Sequence, residues 1–175
     1  MKDNQLTRQE FESLVEALEG TPRSIRQLAD DLAEVDARWK PSGKEWSMLE
    51  LVCHLNDIEQ EGYTVRIEKL LHETRPFLAD IDGDRLAEER NYNGQGFETT
   101  LRAFTRAREA NVRVIKALSP DQLNRSGVFE NVGPVTLATL LQMMREHDKG
   151  HLQDLSSLRD RLIERRKSAP LSAAG

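Results

Sequence analysis

The stretch "MREHDKGHLQDL", residues 144–155, decides how the rest of the chain is read. His147 and His151 stand four positions apart, which on an α-helix is one turn plus about 40°, so both rings leave one face within reach of a common point. Followed in both directions the face continues: Leu137, Leu140, Met144, Leu155, Leu158 and Leu162 recur every three or four residues, and the histidines sit where this pattern calls for leucine. Inward imidazoles on adjacent turns need hydrogen-bond partners or a ligand, because unpaired polar groups in a core cost stability. Thr136 is the expected start of this last long helix.

Working outward, a third histidine lies on another amphipathic segment. Ser47 and Glu50 form a capping box, after which Leu51, Leu55, Ile58, Gly62 and Val65 make an inward stripe with His54 inside its angular range. Packed helices lie about 8–10 Å apart, a gap that facing imidazoles bridge through an ion a little over 2 Å from each nitrogen. His54, His147 and His151 are therefore the expected metal ligands, and three histidines with open positions are the set of a catalytic rather than a closed structural ion. "HDKGH" lacks the glutamate that a zincin uses as base, and no Glu-x-x-His occurs, which removes the di-iron carboxylate bundle. The expected site is mononuclear.

Asp57 lies three residues after His54, Asp148 three before His151 and Asp154 three after it, so each is placed to accept the second imidazole N–H. The competing reading is that these carboxylates only solvate outer helix faces. Glu50 is explained by its cap. Cys53 is rotated by about 100° from His54 and reads as a core thiol. Being the only cysteine, it leaves any metal site to nitrogen and oxygen donors. His72 suits an exposed helix end, Gly150 is read as admitting close approach of a neighbour, and Trp39 and Trp46 are packing residues.

The remaining segments complete an all-α pattern. "LTRQEFESLVEALEG" is a short helix with a Thr7/Glu10 capping box and Gly20 as stop; "TPRSIRQLADDLAEVDARW" restarts with Thr21 as cap and Pro22 at the first position, its stripe being Ile25, Leu28, Leu32 and Val35. From "HETRPFLADIDGD" to "RNYNGQG" periodicity fails, which implies a long connection with one short helix at "DRLAEER". "FETTLRAFTRAREANVRVIKALS" is helical through Phe97, Leu101, Phe104, Val114 and Leu118, with Asn111 on the same face; Ser119 and Pro120 then open a short turn, and "NRSGVFENVGPV" is a second loop. No repeat and no strand-rich stretch is found. Arg108 borders the inward face, where a charged head needs a carboxylate or an anionic ligand unless it snorkels to water. With Asn111 and the loop residues Tyr92 and Asn93 it is the expected border of a substrate pocket.

At 175 residues, with 38% hydrophobic and 31% charged, the chain fits one domain, expected over 1–165 with a disordered tail at 166–175. A net charge of -5 argues against nucleic acid as a partner. No run approaches a membrane span and the N-terminus lacks a signal-peptide core, so the expectation is a cytoplasmic protein without membrane association.

"EWSMLELVCHLNDIE", "RNYN", "FTRAREANV" and "GPVTLATLLQMMREHDKGHLQDL" together resemble the DinB-like superfamily over most of the domain. The resemblance implies a four-helix bundle with up-up-down-down-type connectivity and a long central connection, and it places the metal histidines on His54, His147 and His151. It also implies frequent dimerisation, nickel or zinc as the ion, and in some members transfer of a low-molecular-weight thiol such as bacillithiol or mycothiol. Three functions follow for a small-molecule substrate: a transferase in which the ion activates such a thiol, a metal-dependent hydrolase in which water is the nucleophile, or a non-catalytic metal-stabilised stress or scaffold protein.

Overall fold

The capping signals, that of Thr21 apart, form as written. In a computed structural model describing residues 6–168, Thr7 and Glu10 cap α1 (Arg8–Leu28), Ser47 and Glu50 cap α3 (Met48–Asp57), and Ser119 with Gln122 caps α7 (Pro120–Leu123). Short α2 (Glu34–Ala37) precedes α3. A π-helical segment (Ile58–Tyr63) continues α3 into α4 (Thr64–His72), and the connection then carries β1 (Phe77–Leu78), α5 (Gly83–Glu89) and a 3₁₀ turn (Tyr92–Gly94). The third rod is α6 (Phe97–Lys116); β2 (Ser126–Phe129) and β3 (Gly133–Thr136) lead into α8 (Leu137–Ser168).

Four rods make the bundle: α1, the α3–π–α4 rod, α6 and α8. Cross-links give their directions. Arg26 pairs with Glu98 and Glu19 with Lys116, so α1 and α6 are antiparallel. Thr21 meets Asp148 and the Leu28 carbonyl meets Arg159, so α1 and α8 are parallel. Cys53 faces Thr100 and Glu59 faces Arg108, so α3 and α6 are parallel too. The order is up-down-down-up within the expected four-helix bundle, not up-up-down-down. One long connection, residues 73–96, permits one parallel pair of consecutive rods; up-up-down-down needs two such crossovers.

Several local expectations change. First, α1 runs unbroken through Gly20 and Pro22, where a stop and a restart were expected. Pro22 has no N–H for the Leu18 carbonyl one turn back, and Arg108 Nη1 donates to that carbonyl instead at 3.0 Å. Val35 then falls outside α1 and is exposed. Second, the π segment adds one residue to the α3–α4 rod, so Val65 turns outward while Arg66, Ile67 and Leu70 face in. Third, the loops hold a small sheet of order β1-β2-β3, with β1 parallel to β2 and β2 antiparallel to β3. Strands of two and four residues leave no alternating pattern long enough to detect in the sequence. On α6, Val114 is exposed and Val112 and Ile115 take its place inside. A Cβ on Gly150 would meet nothing within 4 Å outside its own helix among the described residues, so no close approach of a neighbour explains it. Helix α8 reaches Ser168, past the expected boundary at 165; the remaining expected tail, residues 169–175, lies outside the described residues.

The core is divided. One apolar cluster gathers Leu14, Leu18, Tyr63, Ile67, Val112, Leu140 and Met144; the other gathers Ile25, Leu51, Leu55, Phe104, Leu155 and Leu158. Between them every rod contributes polar residues at one level: Thr21, then His54 and Glu59, then Arg108 and Asn111, then His147, Asp148 and His151. The polar belt crosses the bundle where a continuous apolar core would be cheapest.

Candidate metal centre

One side of this belt is an imidazole cluster. His54 projects from α3 and meets His147 and His151 of α8, with one ring nitrogen from each lying within 4.8 Å of the others. His54 Nε2 and His147 Nε2 are 3.2 Å apart. Two ligand nitrogens about 2.0–2.1 Å from a tetrahedral ion are separated by roughly 3.3 Å, so this spacing fits a shared ion as well as an N–H···N bond. His151 Nδ1 lies 3.2 Å from Asp154 Oδ2, which leaves its Nε2 for the cluster. The Nδ1 atoms of His54 and His147 are buried without a hydrogen-bond partner among the described residues.

Burial, followed by the neighbouring His151, pushes the His54 pKa down to about 4, against a smaller opposing pull from Asp57. His147 goes down to about 3, first through burial and then through His151, His54, Arg108 and Arg66. Both rings are therefore neutral near pH 7, the protonation state that ligates a divalent ion. The sign for stability follows. Between the unfolded value of 6.5 and about 4 for His54, or about 3 for His147, the unfolded chain binds protons that the folded chain refuses. Metal-free protein should lose stability steadily as pH falls below 6.5, before most carboxylates titrate; urea midpoints rising over that interval would contradict buried neutral imidazoles.

The rings are held by contacts the sequence did not suggest. Trp46 packs on His54 with centroids 5.0 Å apart, and Tyr63, brought round by the π segment, meets the His147 ring edge-on at 6.0 Å. Gly83, at the start of α5, lies so close that a Cβ there would stand 2.7 Å from His54 Nδ1 and Cε1. The crossover thus clamps the ring through a residue without a side chain. Gly83→Ala should displace His54 and weaken divalent-ion affinity by about 10-fold or more, as loss of an orienting contact does, while secondary structure persists. Isothermal titration with zinc and circular dichroism measure the two separately; unchanged affinity would mean that the ring is not fixed by α5.

A cleft of about 420 Å³ opens beside His151, lined by Lys44, Glu45, Trp46, Leu51, Asp84, Asp154, Ser157, Leu158 and Arg161. The expected pocket residues lie elsewhere. Arg108, 1% exposed, binds Glu59 through two nitrogens and also pairs with Asp148. Asn111 donates to Glu59 and Thr64, Tyr92 donates to Asp57, and Asn93 ties Ser47 to the Arg38 carbonyl. Of the aspartates expected behind the rings, Asp154 alone is placed on a histidine. Asp57 is taken by Arg90 and Tyr92, and Asp148, rotated about 100° from its neighbour His147, by Arg108 and Thr21. Carboxylate spacing along one helix did not reveal cations arriving from the crossover and from α6. Cys53 is buried as expected, and burial raises its thiol to about 12, too high for a nucleophile.

Comparisons with known proteins agree with this architecture. A protein of Oceanobacillus iheyensis, provisionally named a metal-dependent hydrolase, is 22% identical over 158 residues, covering 89% of this chain and 90% of that protein. The structure of YfiT from Bacillus subtilis, described as a probable metal-dependent hydrolase with an unusual four-helix bundle topology, superposes with a TM-score of 0.83 at 16% identity, over 93% of each chain. The model of the DinB superfamily matches residues 17–155, a span that includes all three histidines and every residue of the polar belt, and the chain belongs to that family.

Proposed function

We propose that His54, His147 and His151 hold one divalent ion, zinc or nickel, and that the protein is a metal-dependent hydrolase acting on a small molecule in the adjoining cleft. One observation carries this reading: three ring nitrogens converge within 4.8 Å, two of them on rings kept neutral by burial, beside a cleft of about 420 Å³. An ion held by these three histidines would lower the pKa of a bound nucleophile toward neutrality and would polarise the bond under attack. The chain's own groups do the rest. Asp154 orients His151 by accepting a hydrogen bond from its Nδ1–H, and Gly83 and Trp46 fix the His54 ring. Leu51, Leu158 and Trp46 give the cleft an apolar wall, while Lys44 and Arg161 add positive charge to its lining.

A second reading, thiol transfer, is favoured by the state of the cleft's acids. Of the three carboxylates that line the cleft, Asp154 is engaged with His151 and Glu45 with Arg161, which leaves Asp84 as the one candidate base, and a metal-activated thiol would not need it. Protein purified without tag or chelator, reconstituted with zinc or nickel, should hydrolyse activated esters or amides faster than the metal-free form. Turnover appearing only when a low-molecular-weight thiol and an electrophile are both supplied would establish the second reading. Turnover in neither assay would leave a metal-stabilised, non-catalytic protein.

A further inference from the structure

The bundle has a second distinctive face. Around its circumference the rods follow the order α1, α6, α3, α8, so the groove between α1 and α6 lies opposite the imidazole cluster, which sits between α3 and α8. This groove, about 780 Å³, is lined by Arg23 and Arg26 from α1 and by Arg102, Arg106, Arg113 and Lys116 from α6. Arg26 pairs with Glu98 and Lys116 with Glu19. The other four arginines are exposed and have no ion-pair partner among the described residues. Glu109 lies three residues after Arg106 and four before Arg113, the spacing of a helical ion pair, yet bonds to neither. An ordinary solvated helix face interleaves its charges with partners at that spacing. Here positive charge collects in one concave strip of a chain whose net charge is -5.

We propose that the α1–α6 groove is a docking site for an acidic segment of another protein. Guanidinium forks match carboxylates and phosphates alike, so the anion is chosen by other features. Among the described residues no aromatic side chain lines the groove, which removes the stacking platform that single-stranded nucleic acids use. Glu109, midway along the strip, opposes an unbroken chain of phosphates but can be straddled by spaced carboxylates. From Arg102 to Lys116 the face extends about 21 Å, the reach of roughly six residues of extended peptide. The local positive field would steer such a segment to this face while the rest of the acidic surface repels it, which fixes orientation as well as place.

The test uses the full chain with a chelator present, so that carboxylates cannot report on the imidazole cluster. A fluorescein-labelled peptide of repeating Glu-Ala-Asp-Gly should bind in an anisotropy titration on the order of 10 µM at low salt, and about tenfold or more weaker at 0.5 M salt. Arg102→Glu combined with Arg106→Glu should weaken binding at least tenfold without shifting the urea midpoint, since both side chains are exposed. Lys44→Glu, on the opposite face, should leave binding unchanged. Absence of binding by the wild-type chain at low salt, or equal weakening by the Lys44 variant, would overturn the site. Inorganic polyphosphate or a single-stranded oligonucleotide binding more tightly than the peptide, and losing affinity in the same double variant, would overturn the acidic protein segment as its occupant.

Discussion

Replacing Arg108 by Met is expected to lower folding stability by about 3–5 kcal/mol, enough to unfold a domain of ordinary stability in part or completely. Desolvation works against the charge of Arg108, but Asp148 and Glu59 outweigh it and hold the pKa above its ordinary value. The Glu59 side chain is fully buried and that of Asp148 is 4% exposed, so methionine would strand two carboxylates in the interior. It would also remove the donor that completes the Leu18 carbonyl beside Pro22, opening a defect in α1 as well. Urea unfolding followed by circular dichroism measures the loss. Replacing Arg108, Glu59 and Asp148 together by apolar residues should recover much of it, because the penalty lies in unpaired charge rather than in a missing attraction. A loss below about 1 kcal/mol for the single variant would mean that the carboxylates are not held as described.

His147→Ala is expected to reduce bound divalent ion from about one per chain to background, and His54→Ala to do the same, because the cluster draws ligands from two rods. Metal analysis after purification without chelator reads the content directly. Added zinc should stabilise the wild-type fold by about 4 kcal/mol at a thousandfold excess over its dissociation constant, and neither variant should respond. Asp154→Asn should keep the ion with affinity lowered by about 10–100-fold, the usual effect of an outer partner. Full metal retention by the His54 variant would reduce the site to the α8 pair and remove the proposed reaction centre.

The histidine cluster was legible because its information is short-range and periodic: His147 and His151 lie inside a leucine pattern, and that pattern is buried along α8. Capping boxes were equally legible, since Ser47 and Glu50 find each other within one turn. What stayed hidden depends on partners distant in sequence. Arg108 read as a pocket border because its carboxylates come from Glu59 and Asp148, on two other rods. Gly20, Thr21 and Pro22 read as a break because nothing local announces that Asp148 will take the Thr21 hydroxyl and Arg108 the freed Leu18 carbonyl. Gly83 carries no side chain from which contact with His54 could be inferred, and β1 joins the small sheet only through its register with β2, about fifty residues away.

The π-helical stretch at Ile58–Tyr63 makes the second rod a screw whose thread is offset partway along its length. Upstream of the offset His54 is set toward α8; at its end Tyr63 touches His147, and beyond it Ile67 and Leu70 fill the core cluster that Tyr63 also joins. Deleting one residue there would restore a regular thread and turn everything beyond it by about 100°, bringing Val65 inward in place of Arg66. Such a deletion would leave helix content almost unchanged and still separate the two halves of the rod from their partners. Chain length within this stretch is therefore constrained more tightly than the identity of its exposed residues, such as Gln60.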